Sequence, residues 1–215
     1  MSKVEIFPND FKLYQGEQYH FTSDSILLAK FFKFRPNDVA LEICAGSGVI
    51  GCYAYSIQPC KMLHFVEINS ADCEVIAKNI SLNNMSAQVH NIDAKTINES
   101  TFGKRVDMII CNPPYEKITN KMSDNERIAL ARHEVAINLQ DIASICAKTL
   151  KSGGHLYMVH KAERVAEIIV TLAKYKLSVK RLEFVYSGNK APYLVLIDAT
   201  LDGKDGTKVT IKENV

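Results

Sequence analysis

Short apolar runs alternate along this chain with segments whose apolar positions recur at helical spacing. Val39-Ala-Leu-Glu-Ile-Cys44 predicts a buried strand that ends in Ala45-Gly-Ser-Gly48, and Val49 to Ile57 predicts the helix after it. Met62 to Val66 predicts a second strand, closed by Glu67. Ser70 is the expected N-cap of a helix reaching about Asn83, with Cys73, Ile76, Ala77 and Ile80 on one face. Gln88 to Ile92 and Val106 to Cys111 are the next strands, followed by Asp93 and by Asn112-Pro-Pro-Tyr115. Helix is expected from about Leu139 to Leu150, stopped by Gly153-Gly154. His155 to Val159 is a fifth strand and Ala162 to Ala173 a further helix. Leu182 to Tyr186 and Tyr193 to Ala199 form a closing pair of strands.

Regular alternation of strand and helix implies right-handed crossovers and a mostly parallel sheet, helices on both faces. Ligands of such sheets sit at the carboxyl ends of the strands. Gly46, Gly48, Glu67, Asp93 and Asn112 to Tyr115 all fall at such ends. Residues 1–35 stand apart as a flap, with a helix from about Ser25 to Phe34 ended before Pro36. Residues 36–202 form the main domain, and 203–215 a tail or loose hairpin.

Composition narrows the class. The chain has 215 residues, 47% hydrophobic and 23% charged, so it can bury an ordinary core. Its six cysteines contain no C-x-x-C pair, which argues against a zinc site and a disulfide scaffold and for the cytoplasm. The first ten residues hold no apolar run, and no uncharged apolar run approaches the length needed to span a membrane. The net charge of +2 hides an asymmetry. Residues 1–103 carry 8 Lys and Arg against 11 Asp and Glu; residues 104–215 carry 18 against 13. Lys148 to Lys190 hold nine basic residues against three Glu, a zone able to attract a polyanion or simply to keep the surface solvated.

Gly46-Ser-Gly48-Val-Ile-Gly51 fits G-x-G-x-x-G between a strand and a helix, where glycine permits a tight turn and close approach of backbone to ligand. In a dinucleotide site, Glu67 would bind the ribose. With Glu42 included, the segment resembles the first motif of class I S-adenosylmethionine-dependent methyltransferases. Cys44 or Ala45 replaces the first glycine of that motif. In that resemblance Glu67 matches the acid on the cofactor ribose and Asp93 the acid on the adenine amino group.

Asn112-Pro-Pro-Tyr115 resembles the N/D-P-P-Y/F motif of methyltransferases acting on a planar amino nitrogen. The lone pair of an adenine amino group is delocalised into the ring. Acceptors on its two hydrogens, the Asn112 side-chain oxygen and the Pro113 carbonyl, favour a pyramidal nitrogen that can attack a methyl group. Pro113 and Pro114 stiffen the turn, and Tyr115 offers a ring for base stacking worth about 1–3 kcal/mol. Transfer is then direct, without a covalent intermediate, and the motif supplies no general base.

Gln18 to Ala29, Ala131-Arg-His-Glu134, Gly153 to His160 and Lys190-Ala-Pro192 resemble the bacterial tRNA1(Val) adenine-37 N6-methyltransferase family. The resemblance implies an α/β, Rossmann-like class I fold: a mostly parallel seven-stranded sheet, helices on both faces and a short N-terminal flap. It implies S-adenosyl-L-methionine as cofactor, no metal, and the anticodon loop of a tRNA as partner. DNA is not expected, since 215 residues leave no room for a recognition domain. Candidate cofactor residues are Asp24, Ser25, Glu42, Ala45, Gly46, Ser47, Gly48, Glu67, Ile68, Asp93, Ala94 and Asn112. Catalytic candidates are Asn112, Pro113, Pro114 and Tyr115. Lys161, Arg164, Lys180, Arg181 and Lys190 are the RNA-contact candidates. Arg132, His133, Glu134 and His160 carry no assigned role. Alternatives are an rRNA amino-group methyltransferase, a glutamine N5-methyltransferase of a protein, an NAD-linked oxidoreductase and a non-catalytic RNA-binding module.

Overall fold

In a computed structural model, residues 3–15, 23–114 and 137–214 are described. Strands apolar at consecutive positions occupy the centre of its main sheet, where both faces are covered. β3 (Val39–Ile43) is buried at all five positions. β6 (Val106–Cys111) sends Ile109 and Cys111 into one apolar layer, and Met108 and Ile110 into the other. Around them lie β4 (Met62–Glu67), β5 (Ala87–Asn91), β7 (Leu150–Lys161), β8 (Leu177–Tyr186), β9 (Leu194–Leu201) and β10 (Lys208–Glu213). The sheet order is β10-β8-β9-β7-β6-β3-β4-β5, parallel except where β9 pairs with β7 and β8. Helices α2 (Val49–Ile57), α3 (Ser70–Leu82), α4 (Leu139–Thr149) and α5 (Val165–Lys174) follow strands as the pattern predicts. Residues of α4 and α5 line one apolar layer, while residues of α1 (Ser23–Phe31), α2 and α3 line the other.

Five details differ from expectation. β10 makes the sheet eight-stranded, where seven strands and a trailing tail or hairpin were expected. It pairs parallel to β8, with Lys208 level with Arg181, so its contribution is a backbone ladder while Val209 and Ile211 stay exposed. Residues Lys3–Phe7 and Phe11–Gln15 form an antiparallel hairpin, β1 and β2, turned at Asn9 and Asp10, both with φ of 58°. α1 starts at Ser23 and stops at Phe31, three residues short of Phe34, because Phe32 and Phe34 turn inward and stack edge to face. α3 is capped by Asn69, whose side chain accepts from the Ala71 amide; Ser70 is the first helical residue. Gly153 and Gly154 lie inside β7, not in a turn after the helix, because the chain enters the sheet directly at Leu150.

The hairpin is held by side chains that imitate a neighbouring strand. The Asn79 carboxamide accepts from the Tyr14 amide at 2.7 Å and donates to the Tyr14 carbonyl at 3.0 Å. Asn83 repeats this against Lys12 at 2.8 Å in both directions. Asn79 is fully buried. Asn79→Ala leaves two backbone groups without partners and should destabilise the chain by about 2–4 kcal/mol. Urea unfolding should show the lower midpoint, and amide exchange of residues 11–15 should rise most.

At the β5 edge of the sheet, His64 Nδ1 and His90 Nε2 stand 3.1 Å apart beside the Phe102 ring. Burial, and then His90, lower the His64 pKa to about 4. The His90 pKa is also lowered by burial. The unfolded chain takes up protons on His64 near pH 6.5 and the folded chain only near 4, so the unfolded state binds more protons between the two. Stability should therefore fall as pH drops through that window. Urea midpoints measured across it should decline, and decline less in a His64→Phe variant.

Candidate active site

The carboxyl ends of β3, β4, β5 and β6 bring the predicted polar elements to one edge. The glycine loop leaves β3 with left-handed backbone at Cys44, Gly46 and Gly48, φ 55°, 52° and 74°. A Cβ on Gly48 would stand 3.0 Å from Ile76 and 3.2 Å from Phe65, so close packing as well as φ demands glycine. A Cβ on Gly46 would meet nothing within 4 Å: the loop backbone borders open space there. Ala45 is buried, and Ser47 half-buried beside it.

Two carboxylates hold this loop from opposite sides. Glu67 Oε2 accepts from the Gly46 amide at 2.8 Å, while Oε1 accepts from the Ile68 and Asn69 amides, both at 2.9 Å. Glu42 is 1% exposed and stands behind the loop, its Oε2 accepting from the Gly51 amide at 2.7 Å. Its Oε1 is buried and has no hydrogen-bond partner among the described residues. Burial pushes the Glu42 pKa up to about 8 against the pull of the Gly51 amide, and the nearby Glu67 charge adds to the rise.

Ile68 stands 57% exposed at the rim, and Asn91 donates to the carbonyls of Glu67 and Ile68 at 3.0 and 2.9 Å. Sequence reading missed Asn91; its only signal was an amide at a strand end. Asp93 Oδ1 accepts from the Lys95 amide at 2.9 Å, and its Oδ2 is 3.7 Å from Lys95 Nζ. It thus caps a short 3-10 turn, Ala94–Thr96, in which Ala94 is buried.

From β6, Asn112 Nδ2 donates to Ser25 Oγ at 3.2 Å. Ser25 is buried in the first turns of α1, so it meets the Asn112 motif. Asp24, beside it, accepts from the Ser23 hydroxyl at 3.2 Å. Pro113 is buried and Pro114 half-buried. Tyr115, Arg132, His133, Glu134 and Gln18 to Thr22 lie outside the described residues.

The basic candidates separate. Lys161 ends β7 at the same edge as Asn112, and Lys190 is exposed between β8 and β9 at that edge too. Arg164 follows closely but grips Glu167 with two hydrogen bonds, 2.9 and 2.7 Å. Lys180 lies near the start of β8, at the opposite edge, and donates to the Lys204 carbonyl. Arg181 donates to the Phe31 carbonyl at the end of α1 and lies 3.6 Å over the Phe31 ring. His160 is buried; burial and then the Arg164 charge lower its pKa to about 4, and its Nδ1 accepts from the Lys161 amide. Among the described residues no group of three or more His, Cys, Asp or Glu could hold a metal ion. No helix among them is long and apolar enough to cross a membrane.

A glycine loop bordering open space, with N-P-P one strand away, is the pattern that comparison with known proteins resolves. The methyltransferase small domain family model matches residues 20–185. The chain belongs to that family. The match displaces the dinucleotide-oxidoreductase alternative and makes the chain an S-adenosylmethionine-dependent methyltransferase. A tRNA1(Val) (adenine(37)-N6)-methyltransferase of Shewanella amazonensis is 26% identical over 86% of this chain and 78% of its own length. The protein of that name from Photobacterium profundum is 24% identical over 80% of this chain and 72% of its own length. Among solved structures, a predicted O-methyltransferase of Agrobacterium tumefaciens superposes with a TM-score of 0.65 at 16% identity, covering 89% of this chain and 86% of that one. That likeness establishes the class I methyltransferase fold with its mainly parallel sheet.

Proposed function

We propose that this chain methylates N6 of an adenine in tRNA, adenine 37 of tRNA1(Val). The observation that carries the reading is Asn112-Pro113-Pro114 at the end of β6, one strand from the glycine loop. The curated relatives named for that reaction support it.

The residues present fit the cofactor, because the loop at Gly46 leaves open space beside its backbone. Ala45 to Gly48 would hold it there, Glu67 and Asp93 would offer acceptors beyond those they give to the backbone, and Ile68 and Ala94 would supply apolar contact. S-adenosylmethionine supplies an electrophilic methyl group. Glu42 acts on the loop from behind through Gly51, without touching the ligand. Asn112 uses its amide nitrogen on Ser25, and its side-chain oxygen is assigned to accept from the amino group being methylated. The Pro113 carbonyl takes the second hydrogen. Tyr115 is assigned the stacking role on its sequence position alone. Lys161, Arg164 and Lys190, near the Asn112 edge, are assigned to RNA phosphates, while Lys180 and Arg181, bound to backbone carbonyls, are assigned structural roles. The flap reading of residues 1–35 gains support from the Ser25 contact.

Ser25→Ala should lower turnover about tenfold, the worth of one hydrogen bond, with S-adenosylmethionine affinity unchanged by calorimetry. The reading itself is tested with purified protein and unmodified total tRNA, ribosomal RNA and a release factor. Mass mapping should place the new methyl on an adenine of the tRNA anticodon loop. Label on ribosomal RNA or on glutamine would transfer the assignment to that substrate.

A further inference from the structure

The glycine loop and the Asn112 motif leave neighbouring strands, and each is entered through a cysteine. β3 runs parallel to β6 with Ile43 level with Cys111, so Cys44 lies one step further along. Parallel strands stand about 4.8 Å apart and rise about 3.3 Å per residue, which sets the two Cα atoms about 6 Å apart. Disulfides bridge Cα separations of about 4.4–6.8 Å. Both side chains enter the same apolar layer, Cys111 fully buried and Cys44 half-buried against it. The two thiols lie close enough to interact: after burial, the Cys44 thiol is the next largest influence holding the Cys111 thiol up. Of the six cysteines, Cys44 alone is half-buried; the others are buried.

We propose that Cys44 and Cys111 are a modification site for peroxides, forming a reversible disulfide that switches methyl transfer off. The Cys44 thiolate attacks one peroxide oxygen, the O–O bond breaks, and a sulfenic acid and hydroxide result. The Cys111 sulfur then attacks the Cys44 sulfur, and its proton leaves with the departing hydroxyl as water. Two thiols are thereby oxidised to one disulfide and one peroxide is reduced to two waters. Burial holds the Cys111 thiol well above its ordinary value, so it reacts second, when its target is already in contact.

Two free thiol sulfurs in contact stand well beyond the S–S length of about 2.05 Å. Closing the bond pulls the base of the glycine loop toward the base of the Asn112 turn. A misplacement of about 1 Å at reacting groups costs about a hundredfold in rate. The effect on activity rests on the methyltransferase reading; the bond does not.

The test treats the full chain with hydrogen peroxide, then with a thiol reductant. Peptide mass mapping should find a Cys44 peptide joined to a Cys111 peptide. Methyl incorporation should fall at least tenfold and S-adenosylmethionine affinity, by calorimetry, should weaken, both recovering on reduction. Cys44→Ser and Cys111→Ala should show neither the link nor the losses. Oxidation of Cys44 to a sulfinic acid with no link, or equal losses in oxidised Cys44→Ser, would overturn the proposal. A link that leaves both activity and affinity intact would overturn the switch.

Discussion

Replacing Asn112 with Ala should reduce methyl transfer by about two to three orders of magnitude while S-adenosylmethionine still binds. On the proposed reading the substitution removes an acceptor aimed at charge that develops on the target nitrogen, and the loss of one such preorganised partner has about this effect. It also removes the contact with Ser25, which anchors the first turns of α1. Single-turnover rates with saturating tRNA, alongside calorimetry of the cofactor, separate the two effects. Near-normal turnover would show that the carboxamide does not handle the amino group, and would remove the basis for adenine N6 as the target. Equal losses of binding and rate would place Asn112 in the cofactor site alone.

Gly51→Ala should be more damaging than its position inside a helix suggests. Its backbone is ordinary; the obstacle is space. An added Cβ would stand 2.4 Å from Glu42 Oε2, 2.8 Å from the Phe65 ring and 2.9 Å from Leu63. Glu42 has nowhere to retreat, being buried and bound to the Gly51 amide itself. Overpacking of this kind destabilises by about 1–3 kcal/mol, and a displaced buried carboxylate adds to it. The glycine loop should lose its rear support at once. A lower urea midpoint together with weaker S-adenosylmethionine binding is the expected pair of results. A stable variant with native affinity would show that Glu42 does not brace the loop.

Local pattern was enough to place the parallel core. The helix from Val49 to Ile57 and the strand from Val106 to Cys111 read at their observed bounds, since a glycine loop and an N-P-P turn mark their ends. The hairpin at the start was not legible because its partners are Asn79 and Asn83, more than sixty residues away in sequence. β10 was obscured by its lysines and by Val209 and Ile211, which stay in solvent; only backbone pairing with β8 makes it a strand. Of the candidate site, strand ends and motif resemblance marked the loop, its acids and the Asn112 turn, but not which way each carboxylate points. Glu42 faces away from the open edge, and Ser25 reaches Asn112. Direction also decided the basic residues. The irregularity in β8 between Val179 and Arg181 lies beside Lys180 and Arg181, and no sequence period announces it.

Glu67 draws three backbone amides from two separate turns onto one carboxylate. The two turns are therefore fastened to each other, as the stones of an arch stand once the keystone is set. The cofactor proposed to bind there would find its seat already braced and would lose little entropy in ordering it. Selectivity at this seat then follows from fixed shape: a molecule that does not match cannot be accommodated by letting the turns drift apart.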